Sequence, residues 1–259
     1  MEKLSISIVS YNDSEDVLKA VRSIEECTSS LIEKKVYIVD NSEGDSLNQE
    51  EFQKALCAWK DVEFISSGGN IGFGAGHNKT LGIMESEYHA IVNPDIILKE
   101  DTFAKLISFM DKNPDCGMCV PRIITPGGEL QKAYRRELTV LDMFLRMFIK
   151  KGFNKRKDYH TMQDMDYSKV FEVPFAQGSF LLVRSALFKE LGGFDDRFFL
   201  YMEDADLCKR VNEKASLLYC PDTYVIHKWE KGSHKNKKLF KLHVSSMKKY
   251  FQKWGWKFK

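Results

Sequence analysis

From residue 4 to residue 121 one unit recurs: a short apolar run, mostly rich in Val and Ile, then a segment with helical spacing. The runs are LSISIVS (4–10), KVYIVD (35–40), VEFIS (62–66), HAIVN (89–93) and CGMCVP (116–121). Helices are expected between them. One runs from about Ser14 to Cys27, with Val17, Ala20, Val21 and Ile24 on one face. Others are expected over 46–59, after a glycine loop to about Met84, and from Asp101 or Thr102 through Met110. Neighbouring parallel strands need a long crossover, and a helix supplies it. The alternation therefore predicts an α/β domain: a Rossmann-like, mostly parallel central sheet with helices on both faces. With 259 residues, 43% of them hydrophobic, the chain can fill one large core.

Open parallel sheets bind ligands beyond the carboxyl ends of their strands. Three of the runs end there in polar clusters: Ser10-Tyr11-Asn12, Asp40-Asn41-Ser42 and Asn93-Pro94-Asp95. Loops are polar because they are solvated, so one such end would carry no message. Three that hold Asn or Asp point to a shared site. Pro94 fixes a turn and biases Asn93 toward an extended backbone.

The loop Gly68-Gly69-Asn70-Ile71-Gly72-Phe73-Gly74-Ala75-Gly76 opens a helix. Its G-x-G-x-G spacing after a third strand differs from the G-x-G-x-x-G after a first strand that binds dinucleotides, so nicotinamide or flavin chemistry is not expected. The loop reads as a flexible turn, or as a place where a diphosphate approaches the backbone closely. In YMEDADLCKRV (201–211), Glu203, Asp204 and Asp206 fall within four residues, after the aromatic RFFLY. If the segment is helical, Leu200, Leu207 and Val211 share a face, and Glu203 or Asp204 joins it one turn before Leu207. An acid there either caps the helix or points into a cleft, where aromatic walls raise a carboxylate's pKa and suit it to general-base work. His227 closes the apolar run YCPDTYVIH. A histidine after a strand is usually structural; it gains meaning if it meets Asp95 around Mn2+ or Mg2+. Cys116 and Cys119 form a lone C-x-x-C without a second pair for zinc, so reduced, mostly buried thiols are expected.

The segments VSYN (9–12), VDNS (39–42), NIGFGAGHN (70–78), NPDI (93–96), GSFLLVRSALFKELGGFDDRFFLYMEDADLCKR (178–210) and VIHKWEKGS (225–233) together resemble glycosyltransferase family 2, the inverting enzymes of GT-A fold, and most of all its rhamnosyltransferase-like branch. The resemblance implies a division of labour. Ser10, Tyr11, Asn12, Asp40 and Asn41 would line the nucleoside. Asn70, Gly72 and Asn78 would approach the nucleotide-sugar, with Asn93 and Asp95 at its diphosphate. Asp95 and His227 would hold Mn2+ or Mg2+, Asp204 would be the general base, and Gly178, Ser179 and Glu203 would shape the acceptor side. The family's metal motif is Asp-x-Asp; here Asn93 replaces the first acid, which predicts weaker metal affinity. The implied donor is a nucleoside-diphosphate sugar, dTDP-rhamnose first and a UDP-hexose or galactofuranose donor as the alternative. The implied acceptor is a saccharide or a polyprenyl-diphosphate-linked sugar in bacterial surface polysaccharide synthesis. A metal-dependent nucleotidyltransferase would need a basic, phosphate-activating signature near the N-terminus, which VSYNDSEDV lacks. A non-enzymatic membrane-bound binding module would not need Asp204.

The net charge of +2 conceals an asymmetry: residues 221–259 carry eleven Lys against one Asp and one Glu. That basic, aromatic end on an acidic body predicts contact with an anionic surface. Residues 235–259 mix Lys with Phe, Tyr and Trp, which suits a membrane headgroup layer, and no nucleic-acid motif accompanies them. Residues 139–153, with large apolar side chains beside Arg146, Lys150 and Lys151, are a second candidate for membrane contact, and 154–168 reads as a mobile polar loop. The expected organisation is a glycosyltransferase domain over 1–234 and a membrane-associating tail over 235–259. No apolar run approaches the roughly 20 residues that cross a bilayer, and MEKLSISIVS lacks a signal-peptide layout. The expected location is cytoplasmic, peripheral at the inner face of the cell membrane.

Overall fold

The structure, a computed structural model, describes residues 2–43, 49–149, 152–228 and 237–259. The repeating part runs β1 (Glu2–Ser10), α1 (Ser14–Cys27), β2 (Lys34–Asp40), α2 (Gln49–Leu56), β3 (Val62–Ser66), α3 (Phe73–Asn78), β4 (Ser86–Val92), β5 (Ile96–Ile97), α4 (Thr102–Lys112) and β6 (Cys116–Ile124). The rest adds β7 (Tyr134–Arg135), α5 (Val140–Phe148), α6 (Asn154–His160), β8 (Phe171–Glu172), β9 (Phe175–Ala176), β10 (Phe180–Arg184), α7 (Ser185–Glu190), α8 (Glu203–Asn212), β11 (Ser216–His227) and α9 (Lys237–Trp254).

Local chemistry explains the best-anticipated elements. The stripe Val17, Ala20, Val21 and Ile24 of α1 is buried, as its spacing requires. Asp101 caps α4 by accepting from the Ala104 amide at 3.0 Å, and its other oxygen accepts from the Ser29 amide at 2.9 Å, tying α4 to the chain that leaves α1. Among the described residues nine strands share one sheet, in the order β3-β2-β1-β4-β10-β6-β11-β5, with β8 paired to β11. β1 pairs in parallel with β2 and β4, β2 with β3, and β6 with β11. β10 is antiparallel between β4 and β6. Register then aligns the polar ends: Ser10 lies opposite Asp40, and Asp40 opposite Ser66. Val92, just before Asn93, lies opposite Phe180, just after Ser179.

Three expectations are corrected. The helix after the glycine loop stops at Asn78, well short of Met84. Beyond it the backbone turns through three-residue bonds, Thr80 to His77, Leu81 to Asn78 and Ile83 to Thr80, each 3.1 Å. Residues 154–168 are no loose loop: α6 is anchored by the Arg156 guanidinium on Asp142 at 2.7 Å. The stretch after α6 is held by the paired bonds of Arg136 to Asp164 and by Tyr167 against Tyr219 and Phe171. The C-terminal basic segment does not stand off the body. Tyr250 and Phe251 of α9 are buried in the main core, the Trp254 indole donates to the buried Asp206 at 2.8 Å, and Lys253 bridges Asp206 and Asp195. The expected start of α2 at 46–48, Lys150, Lys151 and residues 229–236 lie outside the described residues. Four of the cysteines, 116, 119, 208 and 220, are buried free thiols as expected, while Cys57 is exposed.

Phe251→Ala is expected to cost about 3–5 kcal/mol, because it opens a cavity in the shared core. Urea unfolding reads this directly; a loss of about 0.5 kcal/mol or less would mean that α9 merely rests on the domain.

Candidate active site

The antiparallel pairing of β5 with β11 sets His227 opposite Ile96, next to Asp95. His227 Nε2 lies 3.3 Å from Asp95 Oδ1. Gln131 decides what that contact means. Its amide NH2 donates to the His227 carbonyl at 2.6 Å, which leaves its Oε1 facing His227 Nδ1 at 2.9 Å. The assignment that satisfies both puts the imidazole proton on Nδ1. Nδ1 is thus occupied by Gln131, and Nε2 is the ring nitrogen that faces the carboxylate oxygen, an arrangement suited to a cation held between them. Imidazole and carboxylate are suitable ligands for Mn2+ or Mg2+, so the pair fits the metal that the resemblance implies. Among the described residues no group of three or more His, Cys, Asp or Glu gathers for a metal. Among the described residues Asp95 and His227 would offer two ligands to such an ion, and oxygens of a bound diphosphate are suited to complete the shell.

Along the same edge the expected nucleotide residues cluster. Asn12, at φ 61°, donates its amide to Ser42 Oγ at 2.9 Å, and Ser42 donates its own amide to Asp40 Oδ1 at 3.0 Å. Tyr11 beside them is 45% exposed, a ring open to a ligand. Asn41 donates to the Gly72 carbonyl at 2.9 Å, and Asn70 Oδ1 accepts from the Gly72 amide at 3.2 Å, so the strand end shapes the glycine loop. Gly72 sits at φ 97°, where an added Cβ would fall 2.4 Å from the Phe199 carbonyl oxygen. That contact joins the loop to the approach to α8. Asn78 is engaged within the protein: its side-chain amide donates to the Phe194 carbonyl and Asp196 and accepts from the Phe194 amide, which pins the Phe194 loop.

The acids open α8. Tyr201 and Met202 both hold left-handed backbone, at φ 68° and 73°, which non-glycine residues adopt at a cost of roughly 1 kcal/mol or more each. Asp204 accepts from the Gly178 amide at 3.1 Å and the Ala205 amide at 2.8 Å, so neither Asp204 nor any acid of α8 serves as its cap. Burial raises the Asp204 carboxyl above the ordinary aspartate range, and the amides of Gly178 and Ala205 with Arg135 and Arg146 draw it back down. Glu203 is 4% exposed; burial, then the Asp204 charge, raises it well above an ordinary glutamate, and it is the carboxyl of the pair that keeps its proton. Gly178 stands between two parts of the site, since an added Cβ would lie 3.3 Å from both Asp204 Cβ and Phe73 Cε1. Ser179 is buried beside it and accepts the Asn93 amide through its carbonyl at 2.9 Å.

The buried polar atoms that lack partners concentrate here. Of eleven such side-chain atoms among the described residues, five belong to anticipated site residues: Ser10 Oγ, Asn41 Oδ1, Asn93 Oδ1, Ser179 Oγ and Glu203 Oε2. Native interiors rarely leave such atoms unpaired without a ligand or water to meet them.

Comparison with known proteins now decides the family. The model of "Glycosyl transferase family 2" matches residues 5–192. The chain belongs to glycosyl transferase family 2. It is 26% identical over 238 residues to the N-acetylglucosaminyl-diphospho-decaprenol L-rhamnosyltransferase of Mycobacterium tuberculosis (strain ATCC 25618 / H37Rv), covering 86% of this chain and 75% of that protein. To the rhamnosyltransferase WbbL of Escherichia coli (strain K12) it is 29% identical over 231 residues, covering 83% and 81%. Among solved structures, GalNAc-T7 with UDP, GalNAc and Mn2+ superposes with a TM-score of 0.74 at 15% identity, over 97% of this chain. The likeness shows the GT-A fold, and the chain spans about half, 48%, of that larger chain.

In this family 2 chain the sequence pointed to neither Gln131 nor Arg135. Both lie in GELQKAYRR, which has no strand or helix period, and only the pairing of β7 with β9 and the bonds to His227 give them places. Glu203 also makes stability depend on pH. Its folded pKa is raised, so its contribution is fully present below the ordinary glutamate value and is lost as pH rises toward the folded value. Glu203→Gln cannot ionise. Its melting temperature relative to the parent is expected to climb between pH 5 and pH 9, and a flat difference would place Glu203 as an ordinary ionised acid.

Proposed function

We propose that the chain is an inverting glycosyltransferase that moves a sugar from a nucleoside-diphosphate donor to a saccharide or polyprenyl-diphosphate-linked acceptor, with dTDP-rhamnose as the first donor to test. The observation that carries this reading is the meeting of Asp95 and His227, 3.3 Å apart, at the edge where the unpaired Ser10, Asn41 and Asn93 atoms collect. The rhamnosyltransferases of M. tuberculosis and E. coli, similar to this chain over most of its length, support the choice of sugar and of a lipid-linked acceptor.

The chemistry follows from the placement. The acceptor hydroxyl oxygen attacks the anomeric carbon from the face opposite the leaving group and gives its proton to Asp204. The glycosyl–phosphate bond breaks, and the nucleoside diphosphate departs with the electron pair. A divalent ion held by Asp95 and His227 would supply positive charge to the departing diphosphate. Ser10, Tyr11, Asn12, Asp40 and Asn41 line the nucleoside side, with Asn70, Gly72 and Asn93 toward the sugar diphosphate. The Gly178 amide aims Asp204, and protonated Glu203 adds no second negative charge beside the base. No enzymic nucleophile is required for a single inverting displacement. A UDP-hexose donor on the same scaffold is the alternative, favoured by the UDP in the GalNAc-T7 structure.

The acceptor side meets a candidate membrane face. Phe144 and Phe148 of α5 and Phe240 of α9 touch in sequence, with ring centroids at 5.1 and 6.0 Å, and all three are exposed. Among the described residues no helix is long and apolar enough to cross a membrane. Exposed aromatics beside the lysines of α9 suit the headgroup layer of an anionic membrane at the inner face of the cell.

Incubation with dTDP-rhamnose and with UDP-hexoses, with product anomers read by NMR, tests the reading; retention of configuration would sink it. Asp204→Asn is expected to keep donor binding while turnover drops by about 10²–10⁴, and full turnover in that variant would remove the base. Asp95→Ala should abolish the Mn2+ dependence of donor affinity in calorimetry; a parent enzyme indifferent to chelator would remove the metal.

A further inference from the structure

Arg135 is the buried cation that the transfer chemistry leaves unexplained. It lies in the two-residue strand β7, is 5% exposed, and its Nε has no hydrogen-bond partner among the described residues. Its guanidinium rests over the Phe175 ring, 5.1 Å from the centroid, and Arg135 pairs with Phe175 in the β7–β9 ladder. A guanidinium stays charged at neutral pH, and burying one without an anion is costly. Asp204 lies close enough to stabilise its charge, yet a second cation works against it: Arg146 of α5 destabilises the charge of Arg135. Asp204 also feels both arginines. The buried Arg135 and the exposed Arg146 thus share the influence of one carboxylate, already engaged by two backbone amides, which leaves an excess of positive charge. Guanidinium groups of this kind recognise phosphate through paired N–H donors.

The position decides which phosphate. β9 runs through Gln177 into Gly178, whose amide holds the proposed base, so Arg135 belongs to the Asp204 side. The donor's diphosphate has its own place at Asp95 and His227. Arg146 stands on the helix that exposes Phe144 and Phe148, two residues from each and on the other side of the helix axis. A helix lying in the headgroup layer with its aromatics in the acyl boundary carries its opposite side about 10 Å higher. That is the depth at which the phosphates of a membrane-anchored lipid sit.

We infer that Arg135 and Arg146 form a diphosphate-binding site on the acceptor side of Asp204, and that its ligand is the diphosphate of an isoprenoid-linked acceptor. The inference rests on the glycosyl-transfer reading for its biological meaning but is tested by binding alone. The probes are farnesyl diphosphate, farnesol, and UDP and dTDP with Mn2+, titrated calorimetrically into the full chain. Arg135→Gln and Arg146→Gln are each expected to weaken farnesyl diphosphate tenfold or more, to leave farnesol unchanged, and to leave UDP and dTDP within twofold. Arg135→Lys should recover part of the affinity, and the partly exposed Arg146 gives a variant that folds should Arg135→Gln fail. Unchanged farnesyl diphosphate affinity in the variants, or no binding to the parent, overturns the site. Loss of UDP and dTDP instead assigns the arginines to the donor and overturns the acceptor claim. A shift only in the pH profile of turnover, with binding intact, reduces Arg135 to a partner of Asp204 and also overturns it. A parent that binds farnesyl diphosphate through Arg135 yet transfers no sugar would fault the transfer reading and leave this site standing.

Discussion

Two ladder pairs between β5 and β11, Ile97 with Ile226 and Ile96 with His227, hold the site together. Side chains alternate across a strand, so a slip of one residue would turn His227 to the other face and break its contact with Asp95. The Lys228 amide bonds the Asp95 carbonyl at 3.2 Å, which locks the register on the far side of the histidine. Gln131 then fixes the ring from below with two hydrogen bonds. A carboxylate from beyond the end of β4 and an imidazole from the end of the chain's longest described strand are thus brought together.

Charge is the second constraint. The opening of α8 gathers Glu203, Asp204 and Asp206 within one turn, and each solves its burial differently. Asp206 is fully buried and meets Arg210, Lys253 and the Trp254 indole, so it binds α9 to α8. Glu203 avoids the cost by keeping its proton. Asp204, its carboxyl raised by burial, is held by the amides of Gly178 and Ala205 and by the charges of Arg135 and Arg146. A buried charge survives only where fixed partners replace its water, and those partners come from β7, α5, α9 and the β9–β10 connection.

The residues legible from sequence alone share a property: their message is local. The buried stripe of α1, the Asp101 cap of α4 and the polar strand ends each follow from spacing within a dozen residues. Asn78 lies on the glycine-loop helix as its spacing predicts, but its bonds to Phe194 could not be read, because that partner is distant in sequence and invisible to any motif. The polar composition of 154–168 suggested mobility, yet Arg156–Asp142 and Arg136–Asp164 order it through partners outside the segment. The lysines and aromatics of 235–259 suggested a membrane-associating tail; composition did not show that Tyr250, Phe251 and Trp254 also pack on the body, because a charged helix buries one face when an aromatic stripe finds a core.

Periodicity and residue type alone determined the strand–helix order and the edge on which a ligand would sit; the family resemblance singled out Asp95, Asp204 and His227 as the groups for its chemistry. Only the tertiary structure decided that Asp95 meets His227, that Gln131 bonds both the ring and the carbonyl of His227, that burial raises Glu203, and that Arg135 is buried over the Phe175 ring. Spacing along a chain reports which face a side chain occupies. Which charges share a dry cleft depends on the register of distant strands, and on the water that folding removes.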